Sequence, residues 1–155
     1  MKASAAYHEA LALAPDDHRL LQKVLDLYIE TKQWRKAVEI MERFVARETD
    51  ALRKGAYFHA AGTVCRDELK ALDEAVDYYE CALDAFFAEP DRLDEQQLTR
   101  ALMSFEAIDS VLTTKRDWKA QERAYREMIN RLPKGDPRFY KLQVGLIDGL
   151  GELYR

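Results

Sequence analysis

Glycine and proline are scarce, at 6 and 4 of 155 residues. So few turn-forming residues leave little room for the many tight loops of a sandwich or barrel. No Val/Ile/Thr-rich alternating run is present either, which removes the pattern a half-buried strand needs. Cysteine is limited to Cys65 and Cys81, outside any CxxC pair. Two such residues cannot staple a domain of this size, so both are expected as buried, reduced thiols in a cytoplasmic setting. No apolar stretch approaches the roughly 18 residues that would span a bilayer. Met1 to Ala14 also lacks the apolar core of a signal peptide, so no membrane partner is expected. A cationic excess is missing too: the net charge of −4 argues against a general nucleic-acid binder, which needs positive charge to displace counterions from phosphate. What is present is Ala, Leu, Glu, Lys and Arg, with 34% charged and 48% hydrophobic residues. That composition predicts one all-α unit with enough apolar surface for a continuous core.

The charge is unevenly placed. Eleven acidic residues between Asp67 and Glu95 face only Lys70 and Arg92, whereas Arg116 to Lys141 carries eight basic residues against four acidic ones. Two solvated helix faces would account for this. A polarity along the molecule that orients a neighbour or partner would do so as well.

A period is visible in the apolar pattern. Ala3, Tyr7, Ala10-Leu11 and Pro15 are matched 34 residues later by Ala37, Met41, Phe44-Val45 and Thr49. A third copy reads Ala75, Tyr79, Ala82-Leu83, and a fourth Trp118, Tyr125, Met128-Ile129, Pro133. Units of this length that cannot bury an apolar face alone must stack on their neighbours. Small residues such as Ala37 and Ala75 would let two helices approach, with Tyr28 and Trp34 filling the space between successive hairpins. The aromatic pairs Tyr78-Tyr79 and Phe86-Phe87, together with Trp118, fall on the same buried slots, so they read as core rather than as stacking platforms for a nucleic acid.

The best full unit, His18 to Asp50, supplies Leu21, Val24-Leu25, Tyr28, Trp34, Ala37, Met41 and Phe44, and the C-terminal stretch adds Leu150-Gly151 and Tyr154. These residues resemble the tetratricopeptide repeat, whose pattern places a large residue, Leu-Gly and Tyr on a first helix and Ala, aromatic, Ala on a second. The resemblance covers nearly the whole chain through degenerate motifs and identifies no subfamily. It implies a right-handed α-solenoid of antiparallel helix pairs.

Caps place the helices. Asp17, Asp94 with Gln97 three residues on, Asp117, and Asp136 before Pro137 are N-terminal signals. They predict about eight helices, near 2–14, 17–31, 34–48, 51–68, 72–88, 94–114, 118–131 and 137–154. Residues 1–155 then form one array without an internal boundary: a half repeat 1–16, repeats at about 17–50, 51–90 and 94–134, and a half repeat 137–155. Spacing stretches to 38 residues between Ala37 and Ala75 and to 46 between Tyr79 and Tyr125. A longer helix around Tyr57 to Glu68, or a longer turn there, is expected. Both ends fall in mid-repeat, which suggests a segment of a longer array or a last helix that packs in trans against a second copy. Phe139, Leu142, Leu146, Ile147, Leu150 and Tyr154 are the candidates for such a homodimer contact.

No chemical site emerges. His8 precedes Glu9 without a second histidine four residues on, and His59 and Cys65 lie about 240° apart around a helix, which is no arrangement for a shared metal. Phosphate-binding, nucleophile-elbow and EF-hand patterns are missing. Glycines 145, 149 and 151 read as allowing a close helix contact. The expectation is a non-catalytic scaffold without cofactor or metal, binding a protein or peptide. A self-associating structural module is the alternative, followed by a helical-repeat RNA binder.

The resemblance also implies where a ligand would lie, on the concave face lined by the first helix of each pair. The matching positions are Arg19, Gln22, Asp26 and Ile29, then Phe58, Gly62, Cys65 and Arg66, then Met103, Glu106, Ser110 and Thr113. Family members that clamp a chaperone's C-terminal carboxylate use Lys and Asn where this chain has Gln22 and Asp26. That clamp is not expected, because Asp26 would repel the carboxylate.

Overall fold

The computed structural model describes Ala6, Glu9, Ala10, Ala12, Leu13 and residues 17–155, and the five positions before residue 17 are helical. The predicted helix 2–14 and half repeat 1–16 otherwise lie outside the described residues, as do Ala3, Tyr7 and His8. From residue 17 onward the chain forms seven α-helices: α1 (His18–Glu30), α2 (Trp34–Arg47), α3 (Ala51–Asp67), α4 (Leu72–Phe86), α5 (Glu95–Lys115), α6 (Trp118–Arg131) and α7 (Tyr140–Leu153). Short 3-10 turns, Pro90–Arg92 and Pro137–Phe139, precede α5 and α7. Among the described residues there is no strand, and seven helices stand where about eight were expected.

Local chemistry sets the starts. Asp17 accepts from the backbone N–H of Arg19 and Leu20, Asp50 from Arg53, and Asp117 from Ala120. Asp94 and Gln97 form a reciprocal capping box, which satisfies two of the donors a helix start leaves open. Asp136 caps the 3-10 turn rather than α7 itself, so the last helix begins three residues later than the Pro137 signal predicts.

Consecutive helices pack on one another, most extensively α3 on α4. Gly55 lies against the Phe86 ring and Gly62 against the Tyr79 ring, so these two helices run antiparallel. The contacts of Phe105 with Tyr125 and of Asp109 with Gln121 make α5 and α6 antiparallel as well. The core runs continuously from Leu21 and Tyr28 through Ala37, Ala75, Tyr79 and Phe86 to Met128, Phe139 and Leu146. Beyond nearest neighbours, α3 also touches α5.

Polar bonds join residues 36 to 47 positions apart. Arg35 pairs with Glu74 at 2.5 Å, Arg92 with Asp50 at 2.6 Å, Arg131 with Asp84 at 2.9 Å, and Lys115 with Asp73. Tyr78 donates to Glu42, and Arg138 to the Leu93 carbonyl at 2.6 Å. Part of the acidic block on α4 is thus met by cations of α2, α5 and α6. The charge asymmetry serves contacts inside the molecule as well as solvation.

Candidate functional site

The positions expected to line a ligand face divide into some the fold leaves open and some it uses for packing. On α1, Arg19, Gln22, Asp26 and Ile29 are exposed, and the Gln22 amide donates to Asp26 Oδ1 at 3.0 Å. On α5, Met103 is 52% exposed, and Glu106, Ser110 and Thr113 are exposed too. Thr113 Oγ1 accepts from the Gln121 amide at 2.8 Å.

On α3 the expectation fails. Gly62 is buried with the Tyr79 ring 3.0 Å from where a Cβ would stand, Cys65 is 0% exposed, and Phe58 packs its half-buried ring near Tyr78. The reason is where the extra residues went. Helix α3 has 17 residues against 13 in α1, and its first turns keep the 34-residue spacing. Buried Leu21, Val24 and Tyr28 therefore correspond to Gly55, Phe58 and Gly62, and the exposed face of α1 corresponds to Arg53, Ala56, Ala60 and Thr63. Of the four expected α3 residues Phe58 and Arg66 reach the surface in part, and Arg66 is paired with Asp67 at 2.7 Å.

Between α3 and α5 a polar cluster forms that the sequence reading missed. His59 Nδ1 is 2.7 Å from the hydroxyl of fully buried Ser104, which donates onward to the Arg100 carbonyl at 3.3 Å. Thr63 bonds the Tyr79 hydroxyl at 2.9 Å, and the Arg66 guanidinium lies 5.8 Å from the centroid of the Tyr79 ring. Burial, and then the nearby Arg100 and Arg66, pull the His59 pKa below its usual value. Arg100 has no carboxylate partner among the described residues. Its neighbours Glu95, Gln96, Thr99 and Met103 line a shallow, open depression on the same helix.

A second cluster lies between α5 and α6. Buried Gln121 donates to Asp109 at 2.6 Å, while its carbonyl oxygen has no partner. Burial and Asp109 push the Tyr125 hydroxyl up to about 12. Gln121 occupies the slot held by Ala37 and Ala75 in the earlier units, and a polar residue in a small apolar slot was the signal available for it.

The terminal helix also sorts differently from expectation. Phe139 and Leu146 are buried against this chain, and Leu142 and Leu150 are half-buried, so Phe139 and Leu146 are not free to meet a second copy. Ile147 is 56% exposed, and Val144, Tyr140 and Tyr154 are exposed with it. Tyr154 is tied back by donating to Glu122 at 2.5 Å and accepting from Arg126 at 2.6 Å. Gly149 meets the Tyr125 ring, whereas Gly145 and Gly151 face open space, so one of the three glycines serves a close contact. Cys81 is exposed, contrary to the buried thiol expected, because it falls on the outer side of α4 between buried Ala75-Tyr79 and Ala82-Leu83. Trp118 is 55% exposed at the first position of α6, where the chain has only begun to pack, and is not a core aromatic.

Among the described residues no group of three or more His, Cys, Asp or Glu side chains could hold a metal ion, and no helix is long and apolar enough to cross a membrane. No family model and no curated protein matches the chain.

Proposed function

We propose that the chain is a non-catalytic protein–protein interaction scaffold of the tetratricopeptide type, a right-handed stack of helix hairpins that takes a peptide or protein segment along the face of α1, α3 and α5. The observation that carries this reading is the set of bonds between residues about one repeat apart, such as Asp50 with Arg92 and Asp84 with Arg131, which is how serial hairpins lock together. The same stacking leaves Gln22, Asp26, Met103 and Glu106 uncovered on first helices. Two free thiols suit a reducing compartment such as the cytoplasm. Selection of a random-peptide library on the intact protein tests the proposal. Bound peptides should be lost on Asp26→Lys or Met103→Ser substitution, and loss only on changing outer-face charges such as Glu127 would refute it.

A second reading rests on α7. Tyr140, Val144 and Ile147 are exposed at the four- and three-residue spacing of a helix-packing seam. In this reading the face meets a second copy and the chain is an assembly module. A mass in solution that stays monomeric across a wide concentration range would exclude it.

A further inference from the structure

The exposed stripe of α7 has a charge pattern along one edge that an apolar patch alone would not need. We propose that it pairs antiparallel with α7 of a second copy, about a two-fold axis level with Gly145 and Leu146, and that Lys141 and Asp148 set the direction of pairing. This deepens the assembly reading and rests on it.

The stripe is a continuous seam. Tyr140, Val144, Ile147 and Gly151 follow one another at steps of four, three and four residues, which lines them up over about 16 Å of helix. Leu142, Leu146 and Leu150 turn another side of α7 toward the body of the chain, where the Gln143 amide donates to the Pro133 carbonyl at 3.4 Å. The seam itself stands open: Tyr140, Val144 and Ile147 are exposed, and a Cβ at Gly151 would meet nothing within 4 Å. Tyr140 is held in place there, because its hydroxyl donates to the Gly135 carbonyl at 3.1 Å.

The seam complements itself when one copy is reversed. With Val144 against Ile147 of the second copy, Tyr140 falls against Gly151, a large ring over bare backbone, and the two-fold axis repeats both contacts. Lys141 and Asp148 lie two turns apart on the same edge of the seam, both exposed, and neither has an ion-pair partner among the described residues. Reversal brings Lys141 of each copy beside Asp148 of the other, giving two ion pairs across the axis. A parallel pair would instead set Tyr140 on Tyr140 and Gly151 on Gly151, and would form neither ion pair. One helix pair of about three turns is small for an interface, so the dimer is weak and depends on concentration.

Analytical ultracentrifugation of the intact chain from about 10 μM to 1 mM tests this, and a monomer–dimer equilibrium is expected. Ile147→Lys should weaken it about tenfold or more, by placing two cations in the seam. Lys141→Asp alone and Asp148→Lys alone should each weaken it roughly threefold to tenfold, because like charges then face each other twice. An equimolar mixture of those two variants should recover the native affinity, since every facing pair is again opposite in sign. All three positions are exposed, and circular dichroism of each variant checks that the helices are retained. Association lost on Ile147→Lys but indifferent to both charge variants, or a mixture no tighter than either variant alone, would overturn the antiparallel pairing while leaving the assembly reading intact. Association that survives Ile147→Lys would place the contact elsewhere and remove both. A chain that stays monomeric at every concentration would also remove both and assign the stripe to a different molecule.

Discussion

Gly145 and Gly149 lie one turn apart on α7 and meet opposite surroundings. A Cβ at Gly145 would meet nothing within 4 Å, whereas one at Gly149 would stand 2.7 Å from the Tyr125 ring. That ring cannot easily yield, because Phe105 holds it edge-on and its hydroxyl donates to Asp109. Gly145→Ala should raise stability by about 0.5–1 kcal/mol through helix propensity alone. Gly149→Ala should lower it by roughly 1–2 kcal/mol, because overpacking exceeds that gain. Urea denaturation of the two variants checks the opposite signs, and two changes of the same sign would contradict the packing of α6 on α7. His59 supplies a pH dependence. The fold lowers its pKa below the ordinary 6.5, so it favours the neutral ring, and the unfolded chain binds the proton more readily. Stability is full above that ordinary value and falls as pH drops through it toward the lower folded pKa. Between pH of about 7.5 and 5.5 the melting temperature of the native chain should fall more steeply than that of His59→Gln, and parallel curves would contradict the assignment.

The elements share a device at their turns. Lys32, Lys70 and Arg116 are the non-glycine residues with positive φ among the described residues, at 58°, 56° and 55°. Each lies two residues before the start of α2, α4 or α6. The following N–H bonds back to a carbonyl near the end of the finished helix, as Gln33 does to Tyr28 at 2.8 Å and Asp117 to Leu112 at 3.1 Å. A side chain in this left-handed conformation costs about 1 kcal/mol or more, which the cation at a helix C-terminus partly offsets. Lys70→Gly should therefore stabilise the chain by about 0.5 kcal/mol, read as a rise in melting temperature. Such turns are poorly legible in sequence, since glycine is their usual mark and these three carry none. N-terminal limits were legible because capping is local chemistry: Asp17, Asp94 and Asp117 cap where the sequence places them. The exposed face of α3 was not, because the spacing shows that four residues are inserted but not on which side of the apolar stripe the helix grows. Its C-terminal extension keeps the early turns in phase and turns Gly62 and Cys65 inward.

At the scale of the whole molecule each helix packs on the next, and ion pairs reach from α2 to α4 and from α4 to α6. An all-helical chain with serial contacts was readable from the 34-residue apolar period, because each unit must bury its face on another. The α3–α5 cluster was not readable, because it depends on two residues 45 positions apart, His59 and Ser104, that no local pattern connects. The central claim is that the face of α1, α3 and α5 holds the partner. Backbone chemical-shift mapping by NMR, with a library-selected peptide added to the isotopically labelled chain, tests it most directly. The account predicts the largest shifts at Asp26, Thr63, Arg100, Met103 and Glu106, with α6 little changed. Shifts confined to Tyr140, Val144 and Ile147 on α7 would contradict it.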